Sequence, residues 1–235
     1  MDIKGKKALV FGGTSGIGLA TVKMLAEAGA TVVAFSRDPS KATDLPAGAV
    51  AKACDVTDDA GMQAALAAEA PFDILISAAT GGARAAGPFM DMDMNAYRGS
   101  FAKLWGYTNT VRYGAGHMPD HGAIVLVSGT PARNGKAGQI AISSVGGAVE
   151  AFTREAAREL APKRINVVSP GVIDTPMFGP ASDARDKAVE GMVSGHLIPR
   201  AGRPEEVAQG ILFCVTNDFV TGTTVDVDGG WLYDR

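Results

Sequence analysis

The chain has 235 residues, 46% of them hydrophobic and 20% charged, which suits one substantial α/β core in a soluble protein. A formal net charge of -3 excludes an electrostatic case for nucleic acid or an anionic membrane surface. Cys54 and Cys214 stand apart in apolar surroundings with no metal-ligand spacing, and no apolar run has membrane-spanning or signal-peptide character. The expectation is a cytoplasmic protein with no metal, no nucleic acid and no membrane among its partners.

Residues 8–11 form a short apolar run that predicts a strand, and Leu19, Val22, Leu25 and Ala26 set a helical pattern behind it. Between them lie Gly12, Thr14, Ser15, Gly16, Ile17 and Gly18. A strand, a glycine-rich turn and a helix N-terminus in that order make an anion site. Unpaired backbone N–H groups and the positive end of the helix dipole converge there. Gly12 permits the tight turn, Gly16 the close approach of a pyrophosphate, and Gly18 the packing of helix on strand.

Gly29 ends the helix, and the β-branched run 31–35 predicts a buried second strand. Its tip carries Ser36 and Arg37, where an NAD site places an acidic residue on the ribose 2′-hydroxyl. A hydroxyl and a guanidinium suit a 2′-phosphate, so the expected cofactor is NADP(H). Residues 49–53 predict a third strand, Asp58 opens a helix through Met62, Ala65, Leu66 and Ala67, and 72–76 predict a fourth strand. In the small-residue loop that follows, Ala78 and Ala79 allow backbone to lie against a flat ligand.

Helical spacing with one or two breaks runs over 90–118, a fifth strand over 122–128, a small-residue helix over 138–160 and a sixth strand over 164–168. This alternation predicts a single Rossmann-type, doubly wound parallel sheet in a three-layer α/β/α domain spanning 1–235. The segment 176–204, rich in Gly, Pro, Met and charge, interrupts it and is a candidate substrate lid.

With its spacing Gly12-x-x-x-Gly16-x-Gly18, the chain resembles the short-chain dehydrogenase/reductase family, and the likeness runs over nearly its whole length. Asp55 and Val56 resemble the pair that receives the adenine. Residues 165–176 resemble the segment that holds the nicotinamide carboxamide, implying contacts from Pro170, Gly171, Ile173 and Thr175, with Ser128 beside them. Residues 199–208 and 221–230 match the family's closing helix and last strand. The resemblance also implies a small-molecule substrate and a homodimer or homotetramer.

The family's catalytic Asn, Ser, Tyr and Lys do not carry over. Their positions fall on Lys103, Gly129, Ile142 and Gly146, and no Tyr in this chain has a Lys four residues later. The expectation is therefore an NADPH-dependent oxidoreductase with an unusual site. Hydride delivery to a ketone creates an alkoxide that needs a proton, whereas an iminium already carries its charge. Reduction of an iminium, an imine or a polarised double bond is the leading reading. A non-redox cyclase or isomerase that uses NADP(H) structurally, and a catalytically silent NADP(H)-binding protein, are its rivals.

Three residues are candidates for catalysis. Burial of Lys103 would lower its pKa and make it a proton donor; an ion pair supporting the loop is the competing role. Arg133 follows strand five at the edge where ligands bind in such sheets, or else is a solvated loop cation. Asp174 lies between expected nicotinamide contacts and would orient a cationic nitrogen, or else cap the turn before Thr175. His117, His121 and His196 read as surface residues, and Met90, Met92 and Met94 as packing.

Overall fold

A strand covered on both faces is apolar at successive positions, and the centre of this chain's sheet has that character. The computed structural model describes residues 1–82 and 84–233. In β4 (Ile74–Ser77), β5 (Ala123–Val127) and β6 (Arg164–Pro170) every residue is buried, and in β1 (Lys7–Phe11) all but the first. β2 (Thr31–Ser36) is nearly as covered, while β3 (Val50–Ala53) and β7 (Thr224–Val227) have no buried residue. The strand order β3-β2-β1-β4-β5-β6-β7 accounts for this, since β3 and β7 are the two edges. All pairings are parallel, with Leu9 opposite Val33 and Leu75 in the centre.

Helices cover both faces. α1 (Gly16–Glu27) and α7 (Pro204–Thr216) bury Val22, Leu25, Val207 and Ile211 against Val10, Ile76 and Val125. On the opposite face, α2 (Asp59–Glu69), α4 (Ala102–Gly114) and α5 (Ile140–Glu159) bury Leu66, Val111 and Val149 against Leu9, Phe11 and Ile124. This is the expected doubly wound three-layer architecture. The chain reverses its direction of travel across the sheet between β1 and β4, which opens a crevice at their C-terminal ends.

The structure differs from the sequence reading at several points. The helical stretch 90–118 divides into a 3-10 turn, α3 (Met94–Ser100), α4 and a second 3-10 turn, with Phe101 at the break. The helix expected from 138 starts at Ile140, because Gly138 adopts a positive φ of 84°. Segment 176–204 contains a helix, α6 (Asp183–Val193), capped by the Ser182 hydroxyl. His196 is buried and stacked on Trp231, 5.2 Å between ring centres, so it is not a surface residue. Met90 and Met94 are exposed and do not pack in the core. No described helix is long and apolar enough to cross a membrane.

Candidate active site

The glycine turn is built by two constraints. Gly12 has φ 78°, and a Cβ there would lie 2.8 Å from the Ala79 nitrogen, so any side chain would push the loop after β4 away from the turn. A Cβ on Gly18 would run into the Gly12 carbonyl. The turn is anchored from beneath by hydrogen bonds from Gly12 and Gly13 N–H to the Phe35 carbonyl, at 2.8 and 3.2 Å. Ala78 N–H donates to the Phe11 carbonyl at 2.9 Å, which holds the next loop beside it. Ser15 starts α1 without a side-chain cap, so the first amides of that helix face open space.

A cavity of about 540 Å³ runs from this turn along the C-terminal ends of the strands. Gly12, Thr14, Ser15, Gly16, Ile17 and Gly18 line one end with Ser36, Arg37, Asp55 and Val56. Ala78, Ala79, Ser128, Pro170, Gly171, Ile173 and Thr175 line it further along. Every residue expected to hold a cofactor is therefore on one continuous wall. Thr57 N–H, 2.9 Å from the Asp55 carboxylate, holds that carboxyl below its ordinary range, and the charge of Arg37 adds to the effect. The Ser36 hydroxyl is buried without a hydrogen-bond partner. Among the described residues Arg37 makes no hydrogen bond or ion pair.

Lys103 enters this cavity from the first turn of α4. Its Nζ donates to the Ser128 carbonyl at 2.9 Å and lies 5.6 Å from the centre of the Tyr107 ring. Burial, helped by the nearby charge of Arg84, pushes its ammonium down to about 7. What exposure Lys103 retains is to the cavity. The Tyr107 hydroxyl donates to the Val127 carbonyl at 2.8 Å, and burial pushes its phenol up. Tyr107 is thus tied to the sheet and is a poor acid, whereas Lys103 is set to hold or release a proton near neutral pH.

Gly129, Ile142 and Gly146 line the same region, where they offer no acid. The Ser128 hydroxyl is turned toward α5, with its Oγ 3.2 Å from the Gly146 carbonyl. Pro131, Ile142, Val145, Met177, Phe178, Met192 and Trp231 make the adjoining wall apolar.

The other two catalytic candidates lie elsewhere. Arg133 is not on the cavity wall: its guanidinium bonds Glu150 at 3.2 Å and both oxygens of Asp226, joining α5 to β7. Asp174 is not on that wall either. Its carboxylate faces outward and pairs with Arg185 of α6, while its N–H bonds the Gly202 carbonyl at 2.8 Å. Both side chains are satisfied by structural ion pairs, which is the physical reason they do not reach the cavity.

The sequence reading missed Arg84, which does line the cavity. It is a lone cation in a Gly- and Ala-rich loop at the C-terminal edge of β4. That is the signal that drew attention to Arg133, and it points more directly to Arg84.

A family model described as enoyl-(acyl carrier protein) reductase matches residues 12–232. Carbonyl reductase family member 4 of Danio rerio is 34% identical over 235 residues, covering 95% of this chain and 96% of its own. L-xylulose reductase of Bos taurus is 32% identical over 245 residues and 99% of each chain. Among solved structures, a small-chain dehydrogenase in complex with NADPH superposes with a TM-score of 0.82 at 29% identity, covering 97% of this chain and 99% of that one. The chain belongs to the short-chain dehydrogenase/reductase family, a family of oxidoreductases.

Proposed function

We propose that this protein is an NADPH-dependent reductase of a polarised, uncharged or anionic double bond, with Lys103 as the proton donor in place of the family's usual residues. The half-buried lysine that lines the cavity with both the glycine turn and the apolar side chains is the observation that carries this reading. The residues present fit the cofactor. The unpartnered Ser36 hydroxyl and the Arg37 guanidinium suit a 2′-phosphate, and the open N-terminus of α1 behind Gly16 suits a pyrophosphate. The solved structure with bound NADPH supports the same assignment.

When bound, the reduced nicotinamide supplies a hydride. The remaining work belongs to the chain. Lys103 Nζ holds a proton at neutral pH and releases it to the oxygen or carbon that gains charge during reduction. A positioned acid of this kind contributes about 10²–10⁴-fold. The Ser128 carbonyl fixes the ammonium in place. Met177, Phe178 and Met192, from the segment 176–204, cover the apolar end and exclude water, a lid role for that segment.

Electrostatics favour a conjugated carbonyl over an iminium. Arg84 and Lys103 are the cationic groups near one another on the wall, and among the described residues the only carboxylate there, Asp55, lies at the β3 end. A cationic substrate would meet repulsion with no compensating anion. The test is NADPH oxidation measured with matched simple ketones, conjugated enones and cyclic imines, using the wild type and Lys103→Met. Enone reduction that falls about 10²-fold in the variant is the expected result. Tight NADPH binding with no oxidation by any class would overturn it, as would imine reduction indifferent to the substitution.

A further inference from the structure

Among the described residues, the substrate end of the cavity is lined by two cations and no anion. Arg84 lines it from the loop after β4, and among the described residues its guanidinium has no hydrogen-bond or ion-pair partner. Lys103 lies near enough for the two charges to act on one another. Its only hydrogen-bond partner among the described residues is the neutral Ser128 carbonyl. The other arginines beside this region are occupied: Arg133 by Glu150 and Asp226, Arg185 by Asp174 and Asp186. Among the described residues Arg84 and, at the β2 end, Arg37 face the cavity without an ion pair, and of the two Arg84 is the one near Lys103.

Arg84 is exposed at the cavity wall, so its charge is tolerated unpaired and stays available to a ligand of opposite charge. Its planar fork matches a carboxylate through two parallel N–H···O bonds. On the wall of the same cavity, Ile142, Met192 and Trp231 offer an apolar face to the body of a ligand. We propose that the site takes an apolar organic acid, with the substrate carboxylate held by Arg84 and the reacting double bond placed beside Lys103. This assignment rests on the reading of the cavity as a reductase site, and it names the substrate class of that site. It also gives Lys103 a second role, since a partly charged ammonium beside Arg84 strengthens the positive field that draws an anion in.

The experiment compares trans-cinnamate with cinnamamide, which have nearly the same shape and differ in charge. Binding of each is measured by calorimetry to wild type, Arg84→Gln and Arg84→Lys, with NADPH affinity and NADPH oxidation followed in parallel. Wild type is expected to bind the acid at least about tenfold more tightly than the amide, as a charge-assisted bidentate contact implies. Arg84→Gln should erase that preference, and Arg84→Lys should keep part of it. Equal affinities in wild type, no binding of the acid at millimolar concentration, or a preference that survives Arg84→Gln would overturn the proposal. A loss of NADPH affinity in Arg84→Gln with the acid preference intact would assign the arginine to the cofactor, and also overturn it. An Arg84-dependent preference for the acid without NADPH oxidation would uphold the anion site and remove the reductase reading.

Discussion

A Cβ placed on Gly146 would lie 2.8 Å from the Cβ of Ala132 and 3.2 Å from the Ser128 hydroxyl oxygen. Gly146, the position that the sequence reading matches to the family's catalytic lysine, is thus closed by packing between α5 and the turn after β5. Gly146→Ala gains up to about 1 kcal/mol of helix propensity, while the overpacking costs about 1–3 kcal/mol. The net effect is destabilisation. Ile142→Tyr combined with Gly146→Lys should lower the melting temperature further and yield no ketone reductase. Melting curves and ketone rates for the double variant check this, and a stable, efficient ketone reductase would contradict the packing argument.

Lys103 ties stability to pH. Its pKa is about 7 in the fold against 10.5 for a free lysine, so between those values the unfolded chain binds a proton that the native chain does not. Stability therefore rises with pH through that window, and the full cost of burying the charge is felt below pH 7. The shift sets an upper bound of about 5 kcal/mol, and water in the cavity makes the true cost smaller. Lys103→Met removes this cost but strips the Ser128 carbonyl of its donor, a loss of about 1–3 kcal/mol. The variant should be more stable than wild type at pH 6 and less stable at pH 10. Urea unfolding at both values gives the sign directly.

Arg133 and Asp174 should behave as structural residues. Glu150 is 5% exposed, and burial already pushes its carboxyl up even with Arg133 beside it. Arg133→Met leaves that carboxylate unpaired and should cost about 1–3 kcal/mol, discounted for the partial exposure of the pair. Substrate affinity and hydride transfer should stay near wild type in this variant, while Asp174→Asn should leave the hydride-transfer step near wild type and alter substrate affinity only through the loosened contact with α6. Denaturation with single-turnover kinetics separates the two effects, and a selective kinetic defect would return either residue to the active site.

At the other end of the cavity, Arg37→Ala should weaken NADPH binding about tenfold or more and leave NADH binding nearly unchanged. The same substitution removes the positive charge that helps keep the Asp55 carboxyl acidic. Two dissociation constants for each protein decide it. Equal affinity of wild type for the two cofactors would be incompatible with a 2′-phosphate site at Ser36 and Arg37.

The sheet and the cofactor wall were legible because both are written in local pattern. Continuous apolar runs mark strands that are covered on both sides, and Gly12 and Gly18 are demanded by a backbone that tolerates no Cβ. Lys103 was found through alignment with a family position, and its burial follows from helix α4 folding over β5. The choice between Arg84 and Arg133 was not legible. Both are single cations in loops at the same sheet edge, and what separates them is the distant carboxylates of Glu150 and Asp226, which only the closed fold brings to Arg133. The same holds for Asp174, whose partner Arg185 sits on a helix hidden within a segment of low apolar periodicity.

The ion pair between Asp174 and Arg185 fastens α6 to the stretch beyond β6, and α6 carries Met192 over the cavity. More than half of the Asp174 side chain is exposed, so dissolved ions compete for this fastening. Concentrated salt is therefore expected to loosen this pair, and the anionic substrate proposed above would be drawn in more strongly in dilute salt. The two tendencies oppose one another. With the lid and the anionic substrate proposed above, the cavity is expected to fill fastest at an intermediate ionic strength, set partly by charges on the outer surface.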